Sequence, residues 1–369
     1  MKKEVVIFSL LNWESKLLHR SHMLAKYFQK AGFKVIYIQK ENVHETFRLS
    51  FKPKVKKDKE ITIMSLPALP YLKGKISYIY KLNDIILTKQ LTKIFKLFDD
   101  PFIILESPYW IRAVISSRGN KGIVCYDISD DFSQFATNEK WKSKLLEYEE
   151  ETIQKSDYIF VTASELKNKV KDKKVFLIEN GVDLDGFQDA KNILAHDYKK
   201  PICGFIGGLF EWVNFELIEK CAKSYPNYDF VLIGPTDRKE KIGELCRISN
   251  IHYLGEKDKK DIGDYFKSLD MGIIPFVSED VYPRLKTVNS NKVFQYCYFG
   301  YPIVSTNFGQ VRDLNDIIDV ADTDEEFISK LGIAMEKNNE NLEEKRRKFA
   351  IDNSWEQRIK QMIAAVFEK

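Results

Sequence analysis

Short apolar runs alternate with amphipathic helical stretches along this chain, and the alternation begins a second time at Pro201. That pattern confines the fold to parallel sheets covered by helices, because a parallel strand needs a crossover connection and a helix supplies it. Glu4 to Leu10 reads as a buried strand, Lys16 to Ala31 as an amphipathic helix closed by Gly32, and Lys34 to Gln39 as the next strand. Further strands are expected at 61–66, 102–105, 122–126, 158–162 and 175–179, with helices at 76–98 and 141–155. Residues 180–200 mix Gly, Asp and Lys with few apolar positions and suit a linker. A second series follows, with strands at 201–207, 229–233, 251–254, 271–276 and 303–306, and helices at 215–224, 261–269 and 291–299. The expectation is an α/β protein of two tandem doubly wound domains, residues 1–187 and 198–352. A last amphipathic helix within 353–369 is expected to pack back on the first domain. Ligands in such sheets bind outside the carboxyl ends of the strands, so residues at those ends are the candidates for chemistry.

Composition excludes several classes. With 369 residues, 44% of them hydrophobic, the chain can bury two cores. The 58 Lys and Arg exceed the 54 Asp and Glu by only four, with no arginine-rich arm, so no nucleic-acid partner is expected. Five Cys without a CxxC pair suit reduced, structural thiols, and His19 and His22 have no evident third ligand, so no metal is expected. No run approaches the roughly 20 apolar residues of a membrane span, and the start MKKEVVIFSLLNW lacks a signal-peptide pattern; a cytoplasmic location is expected. The first strand runs into SLLNWES without GxGxxG, which argues against a dehydrogenase.

Residues 287–306, TVNSNKVFQYCYFGYPIVST, carry the sharpest local signal. Ser290 or Asn289 can cap a helix that runs from Asn291 to Phe299 and stops at Gly300. The first turn of a helix has unpaired N–H groups and positive dipole character, so Lys292 beside it suits a phosphate, and Gln295 shares its face. A surface helix with an ordinary lysine fits the same residues.

Six blocks then stand in order: NGVDLDGF (180–187), FIGGLFEW (205–212), FVLIGP (230–235), NIHYLGEK (250–257), DYFKSLDMGIIPF (264–276) and SNKVFQYCYFGYPIVST (290–306). Together they resemble the signature blocks of glycosyltransferases with the GT-B fold, which has two Rossmann-like domains. They are most similar to the family 4-like bacterial enzymes that build teichuronic acids, capsules and O-antigens. LLHRSHMLAKYFQKAGFKVIYI (17–38) and YDISDDFSQF (126–135) resemble the matching N-terminal segments. The resemblance implies a nucleoside diphosphate sugar held mainly by the C-terminal domain, and a glycan or lipid-linked glycan acceptor held mainly by the N-terminal domain. Transfer would take place in a cleft between them, with no cofactor or metal. Gly207-Gly208 would let backbone N–H groups approach the diphosphate; the alternative is a tight turn. Gly234-Pro235 would lie near the base, although a turn is the favoured reading there. Asn12-Trp13 would reach donor phosphates or acceptor, with Trp13 stacking on a sugar face.

Glu106 and Asp127 each follow an apolar strand, and Asp130-Asp131 come next. A carboxylate there can be a general base or can hold sugar hydroxyls; the aspartates can equally cap the following helix. Departures from the family pattern are as informative as matches. Its diphosphate-binding Arg and Lys are replaced by Gly208 and by Val213 or Asn214, leaving Lys292, Arg284, Lys286 or Arg20 to supply the charge. Gln295 and Thr287 stand where its Glu-x7-Glu pair belongs, unless Glu279 or Asp280 replaces the first carboxylate. The expected activity is that of a retaining hexosyltransferase acting on a cell-surface glycan or polyprenyl-linked acceptor. A non-catalytic partner subunit and a nucleotide-sugar epimerase or hydrolase are the alternatives.

Lysines at 52, 54, 56, 57, 59, 73, 75, 81, 89, 93 and 96 interleave with apolar and aromatic residues. Such a surface suits peripheral contact with an anionic membrane at the inner face, or simply a solvated face.

Overall fold

Residues 3–15, 19–42, 52–70, 76 and 78–368 are described by a computed structural model. The chain forms two compact units, Met1–Glu179 with Ile359–Lys369, and Asn180–Arg358. The division falls before the expected linker, because Val182 and Phe187 are buried in the second unit's core and Val182 bridges Ser354.

The first unit contains β1 (Glu4–Ser9), α1 (Arg20–Lys30), β2 (Lys34–Asn42), β3 (Lys54–Asp58), β4 (Ile61–Ala68), α2 (Tyr78–Ile94), β5 (Phe102–Leu105), α3 (Ile111–Arg118), β6 (Ile123–Ile128), α4 (Glu139–Lys155), β7 (Tyr158–Val161) and β8 (Val175–Leu177). Its sheet has the order β3-β4-β2-β1-β5-β6-β7-β8 and is parallel except for the antiparallel β3. From β1 the chain builds outward through β2 and β4, then returns to place β5 on the other flank of β1. The connections on either side therefore diverge at β1 and β5, the switch point outside which such sheets bind ligands.

The second unit contains β9 (Ile202–Ile206), α5 (Phe215–Ser224), β10 (Asp229–Ile233), α6 (Lys239–Leu245), β11 (Ile251–Tyr253), α7 (Ile262–Lys267), β12 (Met271–Ile274), α8 (Asn291–Phe299), β13 (Ile303–Thr306), β14 (Asp319–Ala321), α9 (Asp324–Lys337) and α10 (Glu340–Asp352). A final helix, α11 (Trp355–Phe367), starts in this unit and belongs to the first from Ile359 onward. The six strands run parallel in the order β11-β10-β9-β12-β13-β14, so the reversal lies at β9 and β12. Every residue of β5, β9, β10 and β12 is buried, as continuous apolar runs in a two-sided parallel sheet require.

Packing at that reversal follows from small residues and one tyrosine. β9 and β12 pair only at Met271 with Cys203 and Gly272 with Gly204, then separate. Tyr296 of α8 is fully buried in the gap: its hydroxyl donates to Gly204 O (3.0 Å) and accepts from Ile206 N (3.2 Å). A Cβ on Gly272 would stand 2.4 Å from the Tyr296 ring, so glycine there is what lets α8 lie this close to the sheet. The helix that carries Lys292 is thereby fixed against β9, the strand that Gly207 follows.

The basic segment 54–58 forms a strand that the apolar pattern did not predict. β3 is exposed along its whole length and sits at the sheet edge, where lysines discourage pairing with another chain. The short or polar elements α3, α6, β14, α9 and α10 were likewise not anticipated. α1 begins at Arg20 after the N-cap His19; the expected start at Lys16 lies outside the described residues, as do Lys73 and Lys75.

Candidate active site

In the second unit the glycines after β9 and β10 are required by close approach. Gly207 and Gly234 have φ of +152° and +143°, and Gly207 N donates to Ile233 O at 2.8 Å. A Cβ on Gly234 would lie 2.0 Å from Gly207 O, and one on Gly207 would lie 2.5 Å from the Lys292 ammonium. Gly207 thus vacates the space into which Lys292 extends. Gly234 N donates to Gly255 O (3.0 Å), its carbonyl accepts from Tyr253, and Pro235 O accepts from Leu209 N (2.9 Å). Those groups are consumed by the turn, in keeping with the turn reading of Gly234-Pro235.

Lys292 is half-buried, with its ammonium 4.9 Å from the Phe205 ring centre and 5.5 Å from that of Phe276. It makes no hydrogen bond or ion pair among the described residues, and burial pushes its pKa down to about 8. An unneutralised cation in an aromatic seat is costly for the free protein and invites an anion. The helix start offers more of the same. Ser290 occupies the N-cap position but its side chain caps nothing, and Asn289 is tied to Asn180 by bonds of 2.8 and 2.9 Å. Gln310 Oε1 accepts from Ser290 N (3.1 Å), and among the described residues the N-cap side chain leaves the first-turn N–H groups beyond it unbonded.

Arg284 donates to the Tyr282 hydroxyl (2.8 Å) and lies over that ring. Tyr282 packs on Trp212, and Trp212 on Phe210, whose ring fills the space a Cβ on Gly208 would need. Arg284 thus belongs to the aromatic group beside the Gly207-Gly208 loop, whereas Lys286 is exposed. At the first of the family's cation positions Gly208 has no side chain; at the second, Val213 is buried and Asn214 caps α5 by accepting from Leu217 N at 2.9 Å. Gln295 is half-buried with no side-chain hydrogen bond among the described residues, and Asn291 is exposed. Glu279 is bonded to Arg312 and to Gly309 N (2.6 Å), so it is already neutralised.

In the first unit, Ser9, Glu106 and Asp127 gather at the ends of β1, β5 and β6. Asp127 is fully buried and accepts two bonds from Arg20, Nε to Oδ2 at 2.7 Å and Nη2 to Oδ1 at 2.9 Å. Arg20 also donates to Ile178 O (3.0 Å) and Glu179 O (3.1 Å). Both groups expected to act on substrate, the Asp127 carboxylate and the Arg20 cation, are committed to each other. Asp131 caps the turn at Phe132–Phe135 and binds Lys169, while Asp130 is half-buried beside it.

Glu106 differs. It is 8% exposed, and its pKa rises from the ordinary 4.5 to about 8, first through burial, then through the Asp127 charge, with the Ser9 hydroxyl opposing. Its folded pKa is raised, so its contribution to stability is complete below pH 4.5 and is lost as the pH rises through 8. Urea denaturation at pH 5 and pH 8.5 should show the parent less stable at the higher pH by on the order of 3 kcal/mol from this group. Glu106→Gln should remove most of that difference; an unchanged difference would place the titration elsewhere.

The loop after β1 is built of internal contacts. Trp13 N donates to Gln39 (2.7 Å), its indole N–H to Asp58 (2.9 Å), and its ring packs on His22 and edge-on to Tyr37. Asn12 accepts from Glu14 N and Gln39. His22 accepts from His19 N at Nδ1 and meets Trp13 O with Nε2, the neutral tautomer in a structural role. Among the described residues no three His, Cys, Asp or Glu side chains gather so that they could hold a metal. The sequence signals missed Tyr296 and the Phe205 and Phe276 seat, because apolar strand-end and helix residues look like ordinary core.

Three similarities accompany this geometry. Residues 200–336 match the family described as Glycosyl transferases group 1. A Bacillus subtilis (strain 168) protein named for a glycosyltransferase role in teichuronic acid biosynthesis, TuaH, is 29% identical over 167 residues. That match covers 42% of this chain and 41% of the relative's own length. Among solved structures, sucrose-phosphate synthase from Thermosynechococcus elongatus has a TM-score of 0.74 at 12% identity, covering 98% of this chain and 97% of that one. The Escherichia coli trehalose-6-phosphate structure bound with UDP-2-fluoro glucose has a TM-score of 0.71 at 12% identity, covering 100% of this chain and 99% of that one. At such identities the likeness is one of fold, the GT-B arrangement of two Rossmann-like domains.

Proposed function

We propose that this chain, whose residues 200–336 carry a group 1 glycosyltransferase domain, moves a sugar from a nucleoside diphosphate donor to a cell-surface glycan or polyprenyl-linked acceptor. The observation that carries the reading is the Lys292 ammonium, without a partner among the described residues and seated over Phe205 and Phe276 beside Gly207, at the start of α8 where the N-cap side chain makes no bond. A diphosphate there meets one fixed cation, helix N–H groups and a glycine turn, and Arg284 stands next to the same loop. As the sugar leaves, negative charge grows on the diphosphate, and these groups stabilise it without reorganising. Gln295 accepts from a ribose hydroxyl as a neutral amide, a weaker bond than a carboxylate would give.

Within the first unit, Glu106 is a buried carboxyl group whose pKa is raised to about 8, which suits proton exchange with an acceptor hydroxyl, and Asp130 is the second candidate. Retention of anomeric configuration is the expectation that resemblance carries. The cell-surface acceptor rests on the teichuronic acid relative. Among the described residues no helix is long and apolar enough to cross a membrane.

A binding-only role is favoured by one observation, the loss of both family cation positions, the first to Gly208 and the second to a buried Val213 or a capping Asn214. Thermal shift against UDP, GDP, dTDP and their sugars tests the first reading: one nucleoside diphosphate should raise the melting temperature, by an increment that grows with its concentration. No shift with any of them would sink it. Binding without turnover, with or without acceptor, would support the binding-only role, and donor consumption without acceptor a hydrolase.

A further inference from the structure

The outward face of α2 carries a pattern that donor chemistry does not use. Tyr78, Lys81, Ile85, Lys89 and Lys93 follow at spacings of three and four residues, and Lys96 and Leu97 extend the stripe into the next turn. Tyr80, Asn83, Leu87, Gln90, Leu91 and Ile94 form the buried side, so the stripe is the face turned to solvent. Its apolar members are large and bare: Tyr78 is 63% exposed, Ile85 52% and Leu97 66%.

Its charges are of one sign. Lys81, Lys89, Lys93 and Lys96 make no ion pair or hydrogen bond among the described residues. Asp84, the acid within the helix, faces away, accepting from the Tyr148 hydroxyl (2.6 Å) and standing 3.8 Å from Arg112. The neighbouring lysine cluster on β3 is different, since Lys54 and Lys56 are paired with Glu41 and Glu14. Two of the three lysines of β3 are thus neutralised in place, whereas none of the four on the α2 stripe is paired among the described residues.

We infer that this face of α2 docks on an anionic phospholipid surface. A merely solvated face has no use for exposed Ile, Leu and Tyr among its lysines, whereas a helix lying at a bilayer surface buries such residues at the acyl boundary while its lysines meet headgroup phosphates. A nucleic-acid face would offer arginine and stacking aromatics, and residues 76–98 contain no Arg. The helix is too polar to insert across the bilayer, so the contact is parallel to the surface and reversible. It stands independently of the transferase reading.

Flotation of the full chain with vesicles tests the contact. Binding is expected to phosphatidylcholine vesicles that contain phosphatidylglycerol, not to phosphatidylcholine alone, and should weaken as salt rises from low to physiological levels. At about five-fold per lysine, the combined variant Lys81→Gln, Lys89→Gln, Lys93→Gln, Lys96→Gln should lose several hundred-fold in partitioning. Ile85→Ser with Leu97→Ser should weaken binding with charge unchanged, while Lys54→Gln with Lys56→Gln should leave it nearly intact. All are surface positions, so the fold survives, which circular dichroism checks. Failure to float at low salt would overturn the inference, as would full binding by the four-lysine variant. Salt-sensitive binding of a homopolymeric RNA that is indifferent to Ile85→Ser and Leu97→Ser, with no vesicle binding, would assign the face to nucleic acid instead.

Discussion

Lys292→Met should melt a few degrees above the ligand-free parent, and it should bind nucleoside diphosphates at least thirty-fold more weakly. The two effects have one cause. In the free protein the ammonium lies between Phe205 and Phe276 with no counter-ion among the described residues, and burial alone pulls its pKa from 10.5 to about 8. The folded state thus binds fewer protons than the unfolded state between pH 8 and 10.5, so ligand-free stability rises with pH across that window. Below pH 8 the penalty is present in full. Methionine keeps the unbranched stem over the rings and removes the charge, relieving about 1–2 kcal/mol once the lost cation–π attraction is deducted. For a unit of this size that is roughly 2–8 °C. Binding moves the other way, because truncating one partner of a buried charged contact costs about 2–5 kcal/mol, roughly thirty-fold to several thousand-fold. In the parent, diphosphate affinity should fall as pH rises above 8, since the bound anion needs the protonated amine; in Lys292→Met that fall should vanish. Calorimetric titration with UDP and GDP from pH 6.5 to 9.5, beside melting curves without ligand, reads both effects. A destabilised variant with unchanged affinity would mean that Lys292 is an ordinary structural residue and that the diphosphate is held elsewhere.

Much of the frame was legible because burial on both faces of a parallel sheet leaves continuous apolar runs. β5, β10, α5, α8 and β13 lie where the pattern places them, and Gly300 ends α8 in the left-handed conformation expected of it. What escaped were elements whose residues answer to neighbours rather than to a period. β3 is KVKKD, held by its pairing with β4, and α10 is ENLEEKRRKFAID, in which Arg346 is buried through bonds to Ile317 O and Asn338 rather than by apolarity. The candidate site divides in the same way. Lys292 was visible as a cation at a helix start, a local signal. That Gly207 makes room for it, and that Arg20 and Asp127 neutralise each other across 107 positions of chain, are tertiary facts that no window of sequence contains.

That last pair supports the second large effect. Arg20→Met should lower the melting temperature of the first unit by about 10 °C. Removing the guanidinium leaves the fully buried Asp127 carboxylate without its two charge-assisted bonds, beside Glu106, whose pKa the Asp127 charge already raises. Breaking a buried pair from one side costs about 3–5 kcal/mol, most of it the desolvation of the stranded charge. Ile178 O and Glu179 O also lose their donor, where the chain leaves the first unit. Asp127→Asn strands the arginine instead and should cost less, because the two carbonyls still accept from it and the amide oxygen still accepts one bond. The combined variant Arg20→Met, Asp127→Asn buries no charge at this position, so its loss should be smaller than the sum of the single losses by about 1–3 kcal/mol. Strict additivity would mean that the pair is screened by water and that either residue is available to a ligand. A positive coupling, read from the denaturation midpoints of all four proteins, would show that Arg20 anchors the end of the first unit. Acceptor chemistry would then fall to Glu106 and Asp130.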